Sequence, residues 1–582
     1  MRRLEQFPNL VTMFFARAAE LGDAPFLLRK EAGAWRATSW RETAQQVASL
    51  AAGLTALGLK AGDRVLLVAE NRPEWCIADL AIMAARCVTV PAYTSNTAAD
   101  HAHVLRDSGA AAAIVSTEKL ARPILQAIAE TEGCRHLVAM EPVRTVPSLL
   151  SHDWSDLIAT PADPATCADA VADVGRQALA CLIYTSGTGG APKSVMQHHG
   201  AILHNVAACA AIIAEDFGWG DERFLSFLPL SHAYEHSAGQ FLPIGLGAQI
   251  WYAESVEKLA ANMEEARPTI MVVVPRLLEV LRQRIAKLIA KQGRLARWLL
   301  RKADELARRE LSGQSRATDA PLRLVLNRTL RTRIAQRFGG ALKALVSGGA
   351  PLDPDVGTFF HALGVTLLQG YGQTEAAPVI ACNRPAAGIR METVGPPLDA
   401  TEVRIAEDGE ILVRGELVTQ GYWRNEAETA RAFDGGWLKT GDIGRLDARG
   451  RLVITDRKKD IIVTDKGENV APQRIEAMLN AEHEIAQAMV SGDRRPYLVG
   501  LIVADAEWGR SLDEAARRRG VQAAVDRVNK RLSTTEKVRR VALADEPFEI
   551  ANGQLTPSLK IRRHMIRAAY GDRLDALYSR SG

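Results

Sequence analysis

The sequence predicts an α/β protein: a large N-terminal domain of layered sheets and helices, a small β-rich subdomain, and a small α+β C-terminal lid domain. Three observations predict it. Short apolar strands alternate with helices early in the chain, the pattern of sheets covered by helices. After Glu402 the texture changes to brief strands separated by turns. A charged connector, Asp456-Arg457-Lys458-Lys459-Asp460, then precedes a final stretch of mixed helical and strand pattern. At 582 residues the chain exceeds a single domain of roughly 100–200 residues.

Taken in order, Arg64–Ala69 reads as a buried strand and Pro73–Arg86 as a helix with proline in its first turn. Val88–Pro91 is a second strand, Ala98–Ser108 a helix and Ala111–Val115 a third strand. Such alternation implies parallel pairing. Pro275–Arg337 is rich in Arg, Leu and Ala, with an apolar set at Leu277, Leu281, Ile285, Leu288 and Ile289. It reads as a helical insertion at about 276–338, broken by a loop from Gly313 to Pro321, on a scaffold that resumes at Ala341–Val346. Val403–Ile405, Glu410–Arg414 and Arg451–Ile454 are strands of the β-rich subdomain, about 395–456, with a turn at Asp434–Gly436. The expected division is therefore 1–456 for the N-terminal domain and 457–582 for the lid.

Composition narrows the function. Hydrophobic residues make up 47% and charged residues 24%, ordinary for a soluble globular chain. The net charge of +4 favours no partner, but Arg282–Arg337 holds 16 Lys/Arg against 4 Asp/Glu. That block reads either as the solvated face of long helices or as a surface for phosphates or an anionic membrane. Trp298 is its sole aromatic platform for stacked bases, which argues against nucleic acid. The seven cysteines are scattered without a C-x-x-C pair, fitting a reducing cytoplasm and no structural metal. The apolar stretch Trp75–Val90 is interrupted by Asp79 and Arg86, so no membrane span is expected, and Met1–Leu10 lacks a signal-peptide pattern.

The strongest chemical signal is Tyr184-Thr185-Ser186-Gly187-Thr188-Gly189-Gly190-Ala191-Pro192-Lys193-Ser194, preceded by the apolar run Cys181-Leu182-Ile183. Glycines let backbone N–H groups approach a ligand, hydroxyls add donors, and lysine adds a movable positive charge. This is a phosphate cradle by composition. From Gly187 it nearly spells the common P-loop, but Pro192 stands where that loop has its second glycine. Proline has no N–H to donate and a fixed φ, so the helix-capping P-loop is rejected.

The same run resembles the phosphate-binding signature of the adenylate-forming (AMP-binding) superfamily, usually Y-T-S-G-T-T-G-x-P-K-G-V. Gly189 stands in place of a threonine and Ser194 in place of a glycine. Further motifs follow in the family's order. Phe227–Glu235 resembles the segment that places a histidine or aromatic beside the carboxylate, implying His232 as a wall of the acyl site; His236 keeps a structural reading. Val346–Pro351 resembles the turn that packs against adenine, implying Gly349, Ala350 and Pro351 as nucleotide contacts. Gln369-Gly370-Tyr371-Gly372-Gln373-Thr374-Glu375 resembles the motif in which tyrosine stacks on adenine, threonine binds the α-phosphate and glutamate helps hold magnesium. Thr188 and Glu375 are thus the implied Mg²⁺ ligands, as hard oxygens suit that ion. Asp442 is implied at the ribose, with Arg457 reaching it as well, and Lys459 at the hinge. Lys466-Gly467-Glu468 resembles the lid loop that faces the site during thioester formation. Lys560, in Asn552–Arg563, resembles the lysine that neutralises charge between carboxylate and α-phosphate.

The resemblance implies two half-reactions: attack of a carboxylate on ATP to give an acyl-adenylate, then transfer to coenzyme A after the mobile lid turns. Several features look like the long-chain fatty acyl-CoA synthetases, including Pro268–Arg276, the basic insertion, and Leu555–Lys560. A medium-chain or aryl acid, or a carrier protein in place of CoA, stays open as the alternative. The implied partners are the carboxylic acid, ATP and CoA, with a homodimer and a peripheral contact of the basic helices with the inner face of a membrane as candidate associations.

Overall fold

The computed structural model describes residues 4–145, 149–185, 192–465, 468–556 and 561–579. Two large sheets build the N-terminal domain, in keeping with the expected layered sheets. The first has seven strands, in the order Leu150–Asp153, His136–Ala139, Ala112–Val115, Arg64–Val68, Val88–Pro91, Leu179–Thr185, Lys193–His198. Its pairings are parallel, as strand–helix alternation predicts, until the last, which is antiparallel. The second sheet has eight strands. Its middle runs Leu367–Gly372, Ala344–Ser347, Ile270–Val273, Arg223–Ser226, Gln249–Tyr252, with antiparallel partners at both edges.

Between the sheets lies one buried cluster that includes Leu67 and Ile183 of the first, Leu27 and Ile250 of the second, and Ile202 and Val206 of the helix His199–Phe217. That helix has the length and hydropathy of a bilayer span, contrary to the sequence expectation. The expectation weighed uninterrupted apolar runs, whereas this helix mixes Ala, Ile and Val with His and Asn. Its His199 and Asn205 are buried, and Asn205 holds backbone groups of Ala376 and Val379. It is a core helix of the described fold.

The insertion forms three helical stretches, Pro275–Lys291, Arg294–Leu311 and Ala320–Arg337. Leu278, Ile289, Ala303, Leu306 and Leu326 face a second core. Leu288, one of the apolar set, points outward at 57% exposure. The β-rich sheet pairs Glu402–Ile405, Glu410–Arg414, Trp437–Leu446 and Leu452–Arg457. Its last strand is longer than expected. Asp456 and Arg457 are not connector but strand, because they pair with Ile443 and Asp442. The turn begins at Lys458 and carries Lys459. Beyond it, the smaller C-terminal domain packs the helices Pro472–Asn480, Glu514–Asn529 and Arg563–Ala576 on a sheet of Ile485–Ser491, Leu498–Ala504 and Val538–Leu543.

Candidate active site

A single cavity of about 2060 Å³ runs between the N-terminal and C-terminal domains. Its wall includes Thr185, Lys193, His232, Gly349, Ala350, Pro351, Gln369, Gly370, Tyr371, Gly372, Thr374, Glu375, Asp442, Arg457 and Lys459. Motifs spread over some 270 positions therefore converge. Ser186, Gly187, Thr188, Gly189, Lys466, Gly467 and Lys560 lie outside the described residues. Glu468 is described, but it is exposed and not part of the cavity wall.

At the end expected to take the phosphates, Thr185 and Lys193 face each other across the antiparallel strands that flank the glycine-rich run. The next helix starts only at His199. A P-loop would pass from strand directly into helix, so the strand pairing agrees with the reading of Pro192. Tyr184, at the base, donates from its hydroxyl to Asp107 Oδ2 at 2.6 Å. Lys193 Nζ makes an ion pair with Glu428 and lies 5.6 Å from the Tyr422 ring centroid.

At the end expected to take the nucleoside, the Tyr371 hydroxyl donates to Asp442 Oδ2 at 2.7 Å, and Arg457 Nε donates to Asp442 Oδ1 at 3.1 Å. Each carboxylate oxygen retains a second lone pair for a ligand hydroxyl. Burial works against the Arg457 charge, but the Asp442 carboxylate outweighs it and raises the guanidinium above its ordinary value. Gly441 turns at φ +71°, and its N–H donates to Glu410 Oε1 at 2.9 Å. Gly372 is required by close approach: a Cβ there would meet the Pro378 carbonyl oxygen at 1.8 Å. Asp456 at the hinge side is pushed up to about 6 by burial, with Asp460 adding to it.

At the end expected to take the acyl group, His232 Nδ1 accepts the Tyr234 N–H at 3.2 Å, and the Tyr234 hydroxyl donates to the Val346 carbonyl at 2.8 Å. The Tyr234 ring fills the space where a side chain at Gly348 would sit. The two acyl-side motifs thus brace one another. Behind them the wall is apolar, with Ile213, Phe217, Phe224, Leu242, Ile270 and Val272. Glu235 is the exception. It is 1% exposed and accepts Ser226 Oγ at 2.7 Å. Burial pushes its carboxyl up to about 8, with the Ser226 hydroxyl opposing. His236 lies in the core, 2.9 Å from Asp79 Oδ2, and does not line the cavity.

Sequence reasoning missed Tyr422, Glu428 and Glu235. The Tyr422 hydroxyl donates to Glu375 Oε1 at 2.8 Å, and all three residues line the cavity. Tyr422 and Glu428 sit outside any glycine-rich or charged run, so no local signal marks them. Glu235 ends the Phe227–Glu235 motif, whose pattern by itself assigns it no role. For a divalent cation, Glu375 offers a hard carboxylate in the cavity. Among the described residues no group of three metal-ligating side chains exists. Mg²⁺ bound largely by phosphates and water needs only one or two carboxylates, so the residues present fit it.

Residues 14–423 match the AMP-binding enzyme family, and residues 459–582 match the AMP-binding enzyme C-terminal domain. The long-chain-fatty-acid–CoA ligase FadD15 of Mycobacterium bovis is 32% identical over 590 positions, covering 98% of this chain and 97% of the relative. Long-chain-fatty-acid–CoA ligase 6 of Mus musculus is 29% identical, covering 96% and 85%. Among solved structures, the adenylation domain of carboxylic acid reductase from Segniliparus rugosus, in complex with AMP and a co-purified carboxylic acid, superposes with a TM-score of 0.76. It is 22% identical and covers 98% and 94% of the two chains, a likeness of fold. The chain belongs to the AMP-binding enzyme family.

Proposed function

We propose that the protein activates a long-chain fatty acid with ATP, releasing pyrophosphate, and transfers the acyl group of the resulting adenylate to coenzyme A, releasing AMP. The observation that carries this reading is one cavity with two chemically different ends. A polar end holds Lys193, Glu375, Tyr371 and Asp442, and an apolar end runs behind His232 and Tyr234. Its volume is about twice the upper end of the roughly 300–1,000 Å³ that suits one small ligand, leaving room for nucleotide and acid together. Each methylene buried at the apolar end contributes about 0.8 kcal/mol to binding.

In the first step a carboxylate oxygen attacks the α-phosphorus, and the bond to the pyrophosphate oxygen breaks. Tyr371 and Asp442 orient the nucleoside, and Lys193 turns from Glu428 to the phosphates. Mg²⁺, which Glu375 and Thr188 would hold, would supply further charge neutralisation. In the second step the CoA sulfur attacks the acyl carbonyl and AMP departs. Pyrophosphate release measured with acids of graded chain length, with and without CoA, tests the reading. Turnover should rise with chain length and yield acyl-CoA. A preference for aryl acids, or for a carrier protein over CoA, would overturn the substrate or the acceptor.

The basic insertion supports a peripheral contact with the inner, cytoplasmic face of a membrane, where long-chain acids partition. Leu288, Leu295, Trp298, Leu324 and Val325 are all at least 43% exposed there, set among its arginines and lysines. An exposed tryptophan and leucines beside cations suit an anionic lipid surface. Flotation should recover more protein with acidic than with neutral vesicles, and Trp298→Ala should reduce the difference. Equal recovery from both lipids would remove the contact.

A further inference from the structure

Lys560 lies outside the described residues; both flanks of its stretch, Leu555–Thr556 and Ile561–Arg563, are described. Leu555 and Ile561 pair as an antiparallel bridge, and the Arg562 N–H donates to the Gln554 carbonyl at 2.9 Å. Thr556, Ile561, Arg562 and Arg563 line the cavity. Arg563, three residues beyond Lys560, opens the helix Arg563–Ala576. Its Nη1 donates to Glu476 Oε1 at 2.7 Å and its Nη2 to Glu476 Oε2 at 2.5 Å. Nη1 also donates to the Val490 carbonyl at 3.2 Å, while the Val490 N–H donates to Glu476 Oε1 at 2.7 Å. Three separate elements of the C-terminal domain therefore close on one ion pair: the helix Pro472–Asn480, the strand Ile485–Ser491 and the helix that follows Lys560.

The pair is unlike the many surface bridges of this chain. Glu476 is 5% exposed, and both its oxygens are engaged by a planar fork. A bidentate guanidinium–carboxylate contact fixes orientation as well as distance, and a lysine could not reproduce it. A backbone carbonyl and a backbone N–H from the same residue, Val490, complete the arrangement. The outcome is a cross-braced anchor for Ile561–Arg563, which line the cavity.

We infer that Glu476 and Arg563 are positioning residues for adenylation: their bidentate pair, locked by Val490, holds the root of the Lys560 segment at the cavity. The inference rests on the reading of Lys560 as the lysine that neutralises charge in the first half-reaction. Its consequence is selective. Misplacing a catalytic group by about 1 Å costs on the order of 100-fold in rate. Binding of ATP, which depends on Tyr371 and Asp442 of the other domain, is untouched. Transfer to CoA, for which Lys560 is not needed, is untouched too.

The test uses the full chain with Glu476→Gln and Arg563→Lys, which keep size and, for the second, charge. Pyrophosphate release at saturating ATP and acid should fall by about 100-fold, with KM for ATP changed less than about twofold. Acyl-CoA formation from preformed acyl-adenylate should stay within about threefold of the unsubstituted protein. That split supports the inference. The C-terminal domain also bears the loop around Glu468, so a merely structural role would lower both half-reactions together. A parallel fall in both, including through loss of the folded domain, overturns it, and so does an unchanged rate of pyrophosphate release. Lys560→Ala, run alongside, separates the two layers. If that variant still adenylates, the underlying role of Lys560 fails and the inference with it. If it does not, while Glu476→Gln and Arg563→Lys do, the positioning role alone fails.

Discussion

Replacing Lys560 with alanine should lower acyl-adenylate formation by about 10²–10³-fold or more, yet leave transfer from a preformed acyl-adenylate to CoA nearly intact. The reason is electrostatic. Two anions, a carboxylate and a triphosphate, must approach, and no covalent enzyme intermediate spreads the difficulty over easier steps. Catalysis then comes from positioning and from charge placed where it develops. Lys193, at the other end of the phosphates, stays in place in this variant and limits the loss. The second half-reaction joins a thiol to a neutral carbonyl, where the lysine has no role. Pyrophosphate release reports the first step, and acyl-CoA formed from synthetic adenylate reports the second. Loss of both would refute the role.

Glu235→Gln should change stability with a distinctive pH dependence. The folded carboxyl titrates at about 8, against an ordinary value of 4.5, because burial disfavours its charge. Between those values the folded protein keeps a proton that the unfolded chain has released. Stability from this group is full below pH 4.5 and is lost as pH rises towards 8. A shift of that size is worth on the order of 5 kcal/mol. Glutamine keeps the shape and cannot ionise. The variant should therefore match the parent near pH 4.5 and gain on it steadily up to pH 8. Unfolding midpoints measured across that range check the sign, and a difference independent of pH would mean that Glu235 ionises as an exposed glutamate does.

Contiguous chemistry was legible in the sequence, and distant pairing was not. The strands at Arg64 and Val88 and the helix Ala98–Ser108 declare themselves through local periodicity and caps. Thr97 does cap that helix, in a box with Asp100. Gln369–Glu375 is likewise readable, since its glycines and polar side chains are neighbours. By contrast, Lys193 meets Glu428 across 235 positions, and Glu375 meets Tyr422 across 47. No rule of spacing links such residues, because the sheet edges that bring them together are set by the whole fold. The end of the strand at Arg457 was missed for the same reason. A run of five charged residues looks like a connector until Asp442 is known to lie opposite Arg457. The strand order of the second sheet was not legible because its strands are spread from Pro25 to Cys382 and separated by long helices.

The strand that follows the glycine-rich run has one more consequence. A cradle opening into a helix would carry a fixed positive pole, about half an elementary charge, that is present whether or not phosphate is bound. Here the chain returns as a strand, and the positive charge at that end sits on a four-carbon tether with an acidic berth, Glu428, within reach. Such a site can be discharged. With Lys193 serving the phosphates as proposed, part of the attraction for polyphosphate is set by where that side chain points, so a grip firm enough for ATP need not also imprison pyrophosphate.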